Sequence, residues 1–231
     1  MKVYAISDLH LSLSGAKPMD IFGLKWDNYL NKIEEDWNSK VTCDDIVLIN
    51  GDISWAMDLN EAITDLSYIA KQKGTKILIR GNHDYWWQGI NKVRNALPEN
   101  SYALQNDSVK IGNVIFCGSR GWAVEGSPDY SEHDKHIYLR EVERFKLALN
   151  HASKLREEGD ILICLIHYPP FNVRLENSLF TELFESFKVD KVVYGHLHGK
   201  DSKVYPKIVK NGIEYILASC DLVDNKLVEV L

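Results

Sequence analysis

Lys76–Asp84 reads KILIRGNHD, and its two halves call for different surroundings. Lys76–Ile79 is a short run that is apolar on both parities, as expected of a strand covered on both faces of a parallel sheet. The second half is polar and punctuated by Gly81. The same two-part text recurs along the chain. Lys2–Ile6 runs into Ser7-Asp8-Leu9-His10, and Asp45–Ile49 into Asn50-Gly51-Asp52. Asp160–Ile166 runs into His167-Tyr168-Pro169-Pro170, and Lys191–Tyr194 into Gly195-His196-Leu197-His198. Helical patterns lie between these runs, roughly over Trp26–Trp37, Asn60–Lys73, Gln88–Ala96, Ile137–Glu157 and Leu179–Phe187. Strand and helix in alternation predict right-handed βαβ units, and so an α/β fold. Ser101–Cys117 and Lys203–Leu231 break the alternation. Short strands there follow one another through turn signals at Gln105–Asp107, Ile111–Asn113 and Lys210–Gly212, and read as antiparallel pairs or mixed-sheet edges.

The chain has 231 residues, 45% of them hydrophobic, and no Pro-, Gly- or Ser-rich linker divides it. That is material for one core, so the expectation is a single domain over residues 1–231. With 27 Lys and Arg against 33 Asp and Glu, the formal net charge is −6. This argues against a nucleic-acid partner gripped through a broad basic surface. Fourteen Gly, six Pro and 10% aromatics exclude collagen and disorder. The apolar stretch before Asp8 is too short for a signal-peptide core, and no run approaches the roughly 18 apolar residues of a membrane span. No membrane role and a cytoplasmic location are the expectation. Cys43, Cys117, Cys164 and Cys220 are scattered and form no CxxC pair, so they read as reduced thiols.

The strand ends carry the chemistry. In open α/β sheets, the carboxyl ends of the strands border the ligand crevice. Five of the eight histidines stand at such ends: His10, His83, His167, His196 and His198. Asp8, Asp52, Asn82 and Asp84 join them. One histidine after a strand is ordinary, and GD and GN are common turn material. Their gathering is not. Carboxylates crowded at one edge repel unless protonated or neutralised by cations. Mixed imidazole, carboxylate and amide donors suit Mn, Fe, Zn or Co better than Ca. Seven such side chains are enough for two ions sharing one carboxylate.

The ordered series DxH, GD, GNHD, H and GHxH, from Asp8 to His198, resembles the calcineurin-like metallophosphoesterase superfamily. The resemblance implies a four-layer α-β-β-α sandwich with a mixed central β-sandwich and a dinuclear metal site at the carboxyl ends of its strands. It implies that Asp8, His10 and His198 bind one ion, that Asn82, His167 and His196 bind the other, and that Asp52 bridges both. The ions would be two divalent metals, with Mn²⁺, Fe²⁺/Fe³⁺ or Zn²⁺ expected. His83 would approach the substrate without binding metal, with Asp84 hydrogen-bonded to it. The implied activity is hydrolysis of a small phosphate ester, a phosphodiester or phosphomonoester, by in-line attack of a hydroxide bridging the metals. His83 would protonate the leaving oxygen.

Departures narrow the subfamily. Protein Ser/Thr phosphatases of this superfamily carry GDxxDRG and GNHE, whereas this chain has GDISWAM at Gly51–Met57 and GNHD. Purple acid phosphatases place a tyrosine where Trp55 stands, and tryptophan does not ligate. The text looks more like the bacterial phosphoesterases and phosphodiesterases. Arg120 is a candidate to grip a phosphate oxygen, and Trp86 and Trp122 are candidates to contact the substrate. Gly121–His136 reads as a loop, a candidate lid. His133 and His136 within it read as solvated, and His151 as helix surface. Gly51, Gly81 and Gly195 read as turn residues that aim the ligands inward. Two other readings stand beside the hydrolase: a non-enzymatic metal-binding scaffold of the same fold, and a nuclease.

Overall fold

Alternate residues of each buried strand go to different hydrophobic layers, and this sorting sets the architecture. The computed structural model describes residues 1–15, 17–128, 130–199 and 204–231. Its first sheet holds β1 (Val3–Ile6), β2 (Ile46–Ile49), β3 (Thr75–Ile79), β4 (Ser101–Leu104) and β11 (Val228–Glu229), in the order β11-β1-β2-β3-β4. Its second holds β5 (Asp107–Ile111), β6 (Val114–Ser119), β7 (Ile161–Ile166), β8 (Lys191–Tyr194), β9 (Lys207–Lys210) and β10 (Ile213–Leu217), ordered β5-β6-β7-β8-β10-β9. Tyr4, Ile6, Val47, Ile49 and Leu78 face outward under α1 (Tyr29–Lys40), α2 (Leu59–Lys71) and α3 (Ile90–Ala96). Their neighbours Val3, Ala5, Ile46, Leu48, Ile77 and Ile79 face inward and meet Phe116, Ile163, Leu165, Val193 and Ile216 of the second sheet. The other parity of that sheet, Cys117, Cys164, Tyr194 and Tyr215 among it, packs under α4 (Asp134–Leu155) and α5 (Leu179–Ser186). The result is the four-layer α-β-β-α sandwich, with both sheets mixed.

The five expected strands fall within a residue or two of their predicted bounds. The helices shift more, for local reasons. Asn28 is left-handed (φ 53°), so α1 begins at Tyr29 and Trp26 lies in a preceding 3₁₀ turn. Asp58 caps α2 by accepting from the Asn60 and Glu61 N–H groups. Helix α4 starts at Asp134, three residues before the expected start, which draws His136 out of the Gly121–His136 loop and into the helix. Of the predicted turns, those at Ile111–Asn113 and Lys210–Gly212 do join antiparallel pairs. The turn at Gln105–Asp107 instead carries the chain from one sheet to the other. Strand β4 runs parallel to β3, and the Arg94 guanidinium and the Trp87 indole hold its end by donating to Ala103 O and Gln105 Oε1. Lys203 and Asp129, which fall in two of the predicted segments, lie outside the described residues.

Candidate metal centre

All five DxH, GD, GNHD, H and GHxH segments leave β1, β2, β3, β7 and β8 at the same edge. Asn50 locks the two sheets together there. Its Nδ2 donates to Ile166 O at 2.6 Å and Val193 O at 3.1 Å, while its own carbonyl accepts from Ser7 Oγ at 3.0 Å and His167 Nδ1 at 2.9 Å. Four of the side chains delivered leave backbones in the left-handed region: Asp8 (φ 61°), His10 (46°), Asp52 (50°) and His196 (70°). Such conformations are costly for non-glycine residues and gather at functional sites. Gly81 and Gly195 serve close approach rather than turning. A Cβ on Gly81 would lie 2.1 Å from Asp52 Oδ1, and one on Gly195 2.6 Å from Asp8 Oδ2. Gly51, with φ 93°, does supply the turn expected of it.

The ligand atoms converge in two groups, Asp8–His10–His198 and Asp52–His167–His196. Asp52 Oδ2 lies 3.5 Å from His167 Nε2 and 3.8 Å from His10 Nε2, between the groups. Asn82 Oδ1 faces His167 Nε2 at 2.8 Å and His196 Nδ1 at 2.9 Å. Tautomers decide what these contacts mean. A carbonyl only accepts, so His167 gives its Nδ1 hydrogen to Asn50 O, which leaves Nε2 facing Asn82 and Asp52 oxygens, an arrangement that needs a proton or a cation on that nitrogen. His198 does the same, donating Nδ1–H to Asp221 Oδ1 at 2.9 Å and presenting Nε2 to Asp8 Oδ1 at 3.4 Å. Acceptors facing acceptors repel unless a proton or a cation sits between them. The buried His10 Nδ1 has no hydrogen-bond partner. The donor set therefore fits metal ions.

The charges agree. Burial opposes ionisation of Asp8, yet the hydrogen bond to His198 and the charges of His167, His198 and His10 hold its carboxyl far below the usual range. Asp52 is likewise held low against burial by His167. In return, burial of His167 is outweighed by Asp52 and its ring is raised to about 9, while Asp221 and Asp8 raise His198 to about 10. Burial pushes His10 down to about 4 and His196 to about 3. The carboxylates thus draw positive charge into their midst.

The family model for calcineurin-like phosphoesterases matches residues 1–200. The chain belongs to this family. Among solved structures, the phosphoesterase is similar to a protein of unknown function from Aquifex aeolicus, with 16% identity over 99% of this chain and 95% of that one and a TM-score of 0.52. It is also similar to the phosphopantetheinyl hydrolase from Mycobacterium tuberculosis, with 13% identity over 100% and 95% and a TM-score of 0.58. At these identities the likeness is one of fold. No curated protein matches.

Beside these candidate ligand groups lies a cleft of about 640 Å³ that includes His10, Asp52, His83, His196 and His198. Trp55 stacks on the His10 ring (centroids 4.7 Å apart) and lies 4.8 Å from that of His83. A second cleft, of about 730 Å³, opens on the other side of His196 and His198. The candidate lid contributes Ala123, Ser127 and Pro128 to it.

Several expected roles change. Asp84 does not hold the His83 ring. Its carboxylate accepts from the Ile53, Ser54 and Gly81 N–H groups and from Trp86 Nε1, which ties the GNHD loop to the GD loop. Burial and the Asp52 charge push this carboxyl up to about 6 against those donors. Trp86 is wholly buried and cannot touch a substrate. Arg120 pairs with Glu141 at 3.4 Å and lies 4.5 Å over the Trp122 ring, whose Nε1 donates to Asp134. None of the three lines either cleft. His151 lies on the exposed surface of α4, as expected, with its Nδ1 2.7 Å from Ser108 Oγ. Residues with no sequence signal complete the centre. Asp221 orients His198, and Ser219 Oγ donates to Asp8 Oδ2 at 2.8 Å. Both sit just after β10, a placement only the sheet order reveals. The Cys117 and Cys164 thiols are free and buried, as is that of Cys220, while Cys43 is exposed. Among the described residues, no helix is long and apolar enough to cross a membrane.

Proposed function

We propose that the chain is a dinuclear metal-dependent phosphoric ester hydrolase acting on a small phosphodiester or phosphomonoester. The observation that carries this reading is the position of Asp52, whose Oδ2 lies 3.8 Å from His10 of one ligand group and 3.5 Å from His167 of the other. Two divalent ions there, with Mn²⁺, Fe²⁺ or Zn²⁺ suiting the donors, would polarise the phosphoryl group and supply activated water for in-line attack.

The chain's own residues do the rest. Asp8, His10 and His198 would hold one ion and Asn82, His167 and His196 the other, with Asp52 placed to serve both. Asn82 adds an uncharged oxygen, which leaves the site net positive toward a phosphate anion. The His83 backbone N–H donates to Asp52 Oδ1 at 2.8 Å, which holds the backbone that carries His83 against the Asp52 carboxylate. Its ring lies at the cleft, 5.7 Å from the His10 ring, where it would protonate the departing oxygen. Asp84 positions this loop from beneath. The fold shared with a phosphopantetheinyl hydrolase is in keeping with phosphate-ester chemistry.

The test is hydrolysis of bis-aryl against mono-aryl phosphate with Mn²⁺, Fe²⁺, Zn²⁺ or Mg²⁺. Wild type should turn over at least one ester, and Asp52→Asn should abolish turnover. His83→Ala should cost about 10²–10⁴-fold on an alkyl ester. It should cost less on a nitrophenyl ester, whose leaving group needs no proton. A metal-loaded protein that hydrolyses no phosphate ester sinks the reading.

A further inference from the structure

The metal-centre side chains make only the floor of the 640 Å³ cleft. Its wall is apolar: Met19, Phe22, Leu24, Trp26, Trp55 and Leu222. Phe22 is 63% exposed and Leu24 79%, held out by two short 3₁₀ turns that meet at Gly23. The wall is anchored against the centre. Trp26 is buried, with its ring edge-on to His10 at 6.0 Å and tilted against His198 at 5.9 Å. Asn225 Nδ2 donates to Lys25 O at 2.8 Å. Among the described residues that line it, Lys25 is the one lysine or arginine, with its amino group bound to Asp224 at 2.5 Å, while Lys17 Nζ lies 4.9 Å over the Trp55 ring.

We propose that this wall receives the leaving group, so that the preferred substrate is a phosphate ester of an apolar aryl or alkyl alcohol, with Phe22, Leu24 and Trp55 determining specificity; the inference rests on the phosphoesterase reading above. In the reaction, the bond from phosphorus to the ester oxygen breaks as a bond to a water oxygen forms. The water gives up a proton to solvent, the alcohol oxygen gains one from His83, and His83 takes a proton back from solvent. His83 opens into this cleft and not into the second one, so the alcohol departs along the apolar wall. An alkyl or aryl group covers Phe22, Leu24 and Trp55 and removes their surface from water.

The experiment uses n-alkyl phosphates from methyl to octyl. Their leaving alcohols differ little in acidity, so differences in rate report contacts with the wall. The metal-loaded protein should gain roughly threefold in kcat/KM per added CH₂ until the cleft is filled. The double substitution F22S/L24S should flatten that series. Ile21→Ser should keep it, because Ile21 is 73% exposed on the same segment but does not line the cleft. Octylphosphonate, which has no ester bond to break, should bind more tightly than methylphosphonate with a negative heat-capacity change in calorimetry, and F22S/L24S should lose that difference. A flat wild-type series with turnover intact overturns this inference and leaves the phosphoesterase reading standing. No turnover of any ester overturns both. Sedimentation with phosphatidylcholine vesicles that Ile21→Ser abolishes would make the exposed side chains a membrane contact instead, and would overturn it too.

Discussion

His198 gives its Nδ1 hydrogen to Asp221 Oδ1 across 2.9 Å, and Asp221 Oδ2 takes the Gly199 N–H at 3.1 Å. One carboxylate thus fixes both the ring and the backbone that follows it. It also dictates the tautomer, so that Nε2 faces Asp8. Histidine ligands supported in this way lose about 10–100-fold in metal affinity when the outer carboxylate goes. Asp221→Ala should weaken metal binding by that factor in competition with a chelator. Asp221→Asn, which still offers an oxygen to the ring, should recover part of it. Equal affinity in all three proteins would show that Asp221 only caps the loop.

Without cations, only protons held on the His167 and His198 rings offset the oxygens of Asn82, Asp52 and Asp8 that face them, and metal ions would take the place of those protons. Binding only to the folded state stabilises it by about 4 kcal/mol at a thousandfold excess over Kd. At this chain length, 1 kcal/mol moves Tm by roughly 2–4 °C. Chelation should therefore lower Tm by about 10 °C in a thermal melt, and re-addition of Mn²⁺ or Zn²⁺ should restore it. An unchanged Tm would count against the metal centre.

Much of this centre was legible before any coordinates, and the reason is physical. Strands buried on both faces are forced into apolar runs, so the polar text that breaks each run marks the sheet edge. The motif residues Asp8, His10, Asp52, Asn82, His167, His196 and His198, whose side chains converge, stand out that way. Asp221 and Asn50 do not, because their roles come from which strands are neighbours: β8 pairs with β10, and β2 ends beside β7 and β8. Asp84 was found but misread. Sequence adjacency placed it with His83, whereas complete burial turned it toward four N–H donors. Arg120 and Trp86 were judged by chemical type, which says nothing of direction; one faces Glu141 and the other the core.

Gly81 tests how tightly the centre is assembled. Its Cα region touches Asp52 so closely that an added Cβ would lie 2.2 Å from the Asp52 backbone nitrogen. Backbone cannot rotate aside as a side chain can. Gly81→Ala should destabilise the fold by about 1–3 kcal/mol and displace the Asp52 carboxylate. Metal binding should fall with Tm. Gly89→Ala, where an added Cβ meets nothing within 4 Å, is the matched control and should change little.

Away from the centre, Asp45 ties the first two strands together. Its Oδ1 accepts the Lys2 N–H at 2.6 Å, and its Oδ2 accepts the Thr42 N–H at 2.9 Å and the Thr42 hydroxyl at 2.7 Å. Burial works against ionisation, but these donors hold the carboxyl below its ordinary value. A depressed folded-state pKa means the unfolded chain takes up the proton first as pH falls. The stabilisation is then complete above the ordinary aspartate pKa near 4 and vanishes as pH drops through the lower folded value. Asp45→Asn should lower Tm by a few degrees at pH 7, and the gap to wild type should close progressively below pH 4. Melts of the two proteins across pH 2–7 cancel the other carboxylates, which titrate alike in both. A gap that stays constant into acid would mean the amide is penalised by shape and not by lost charge.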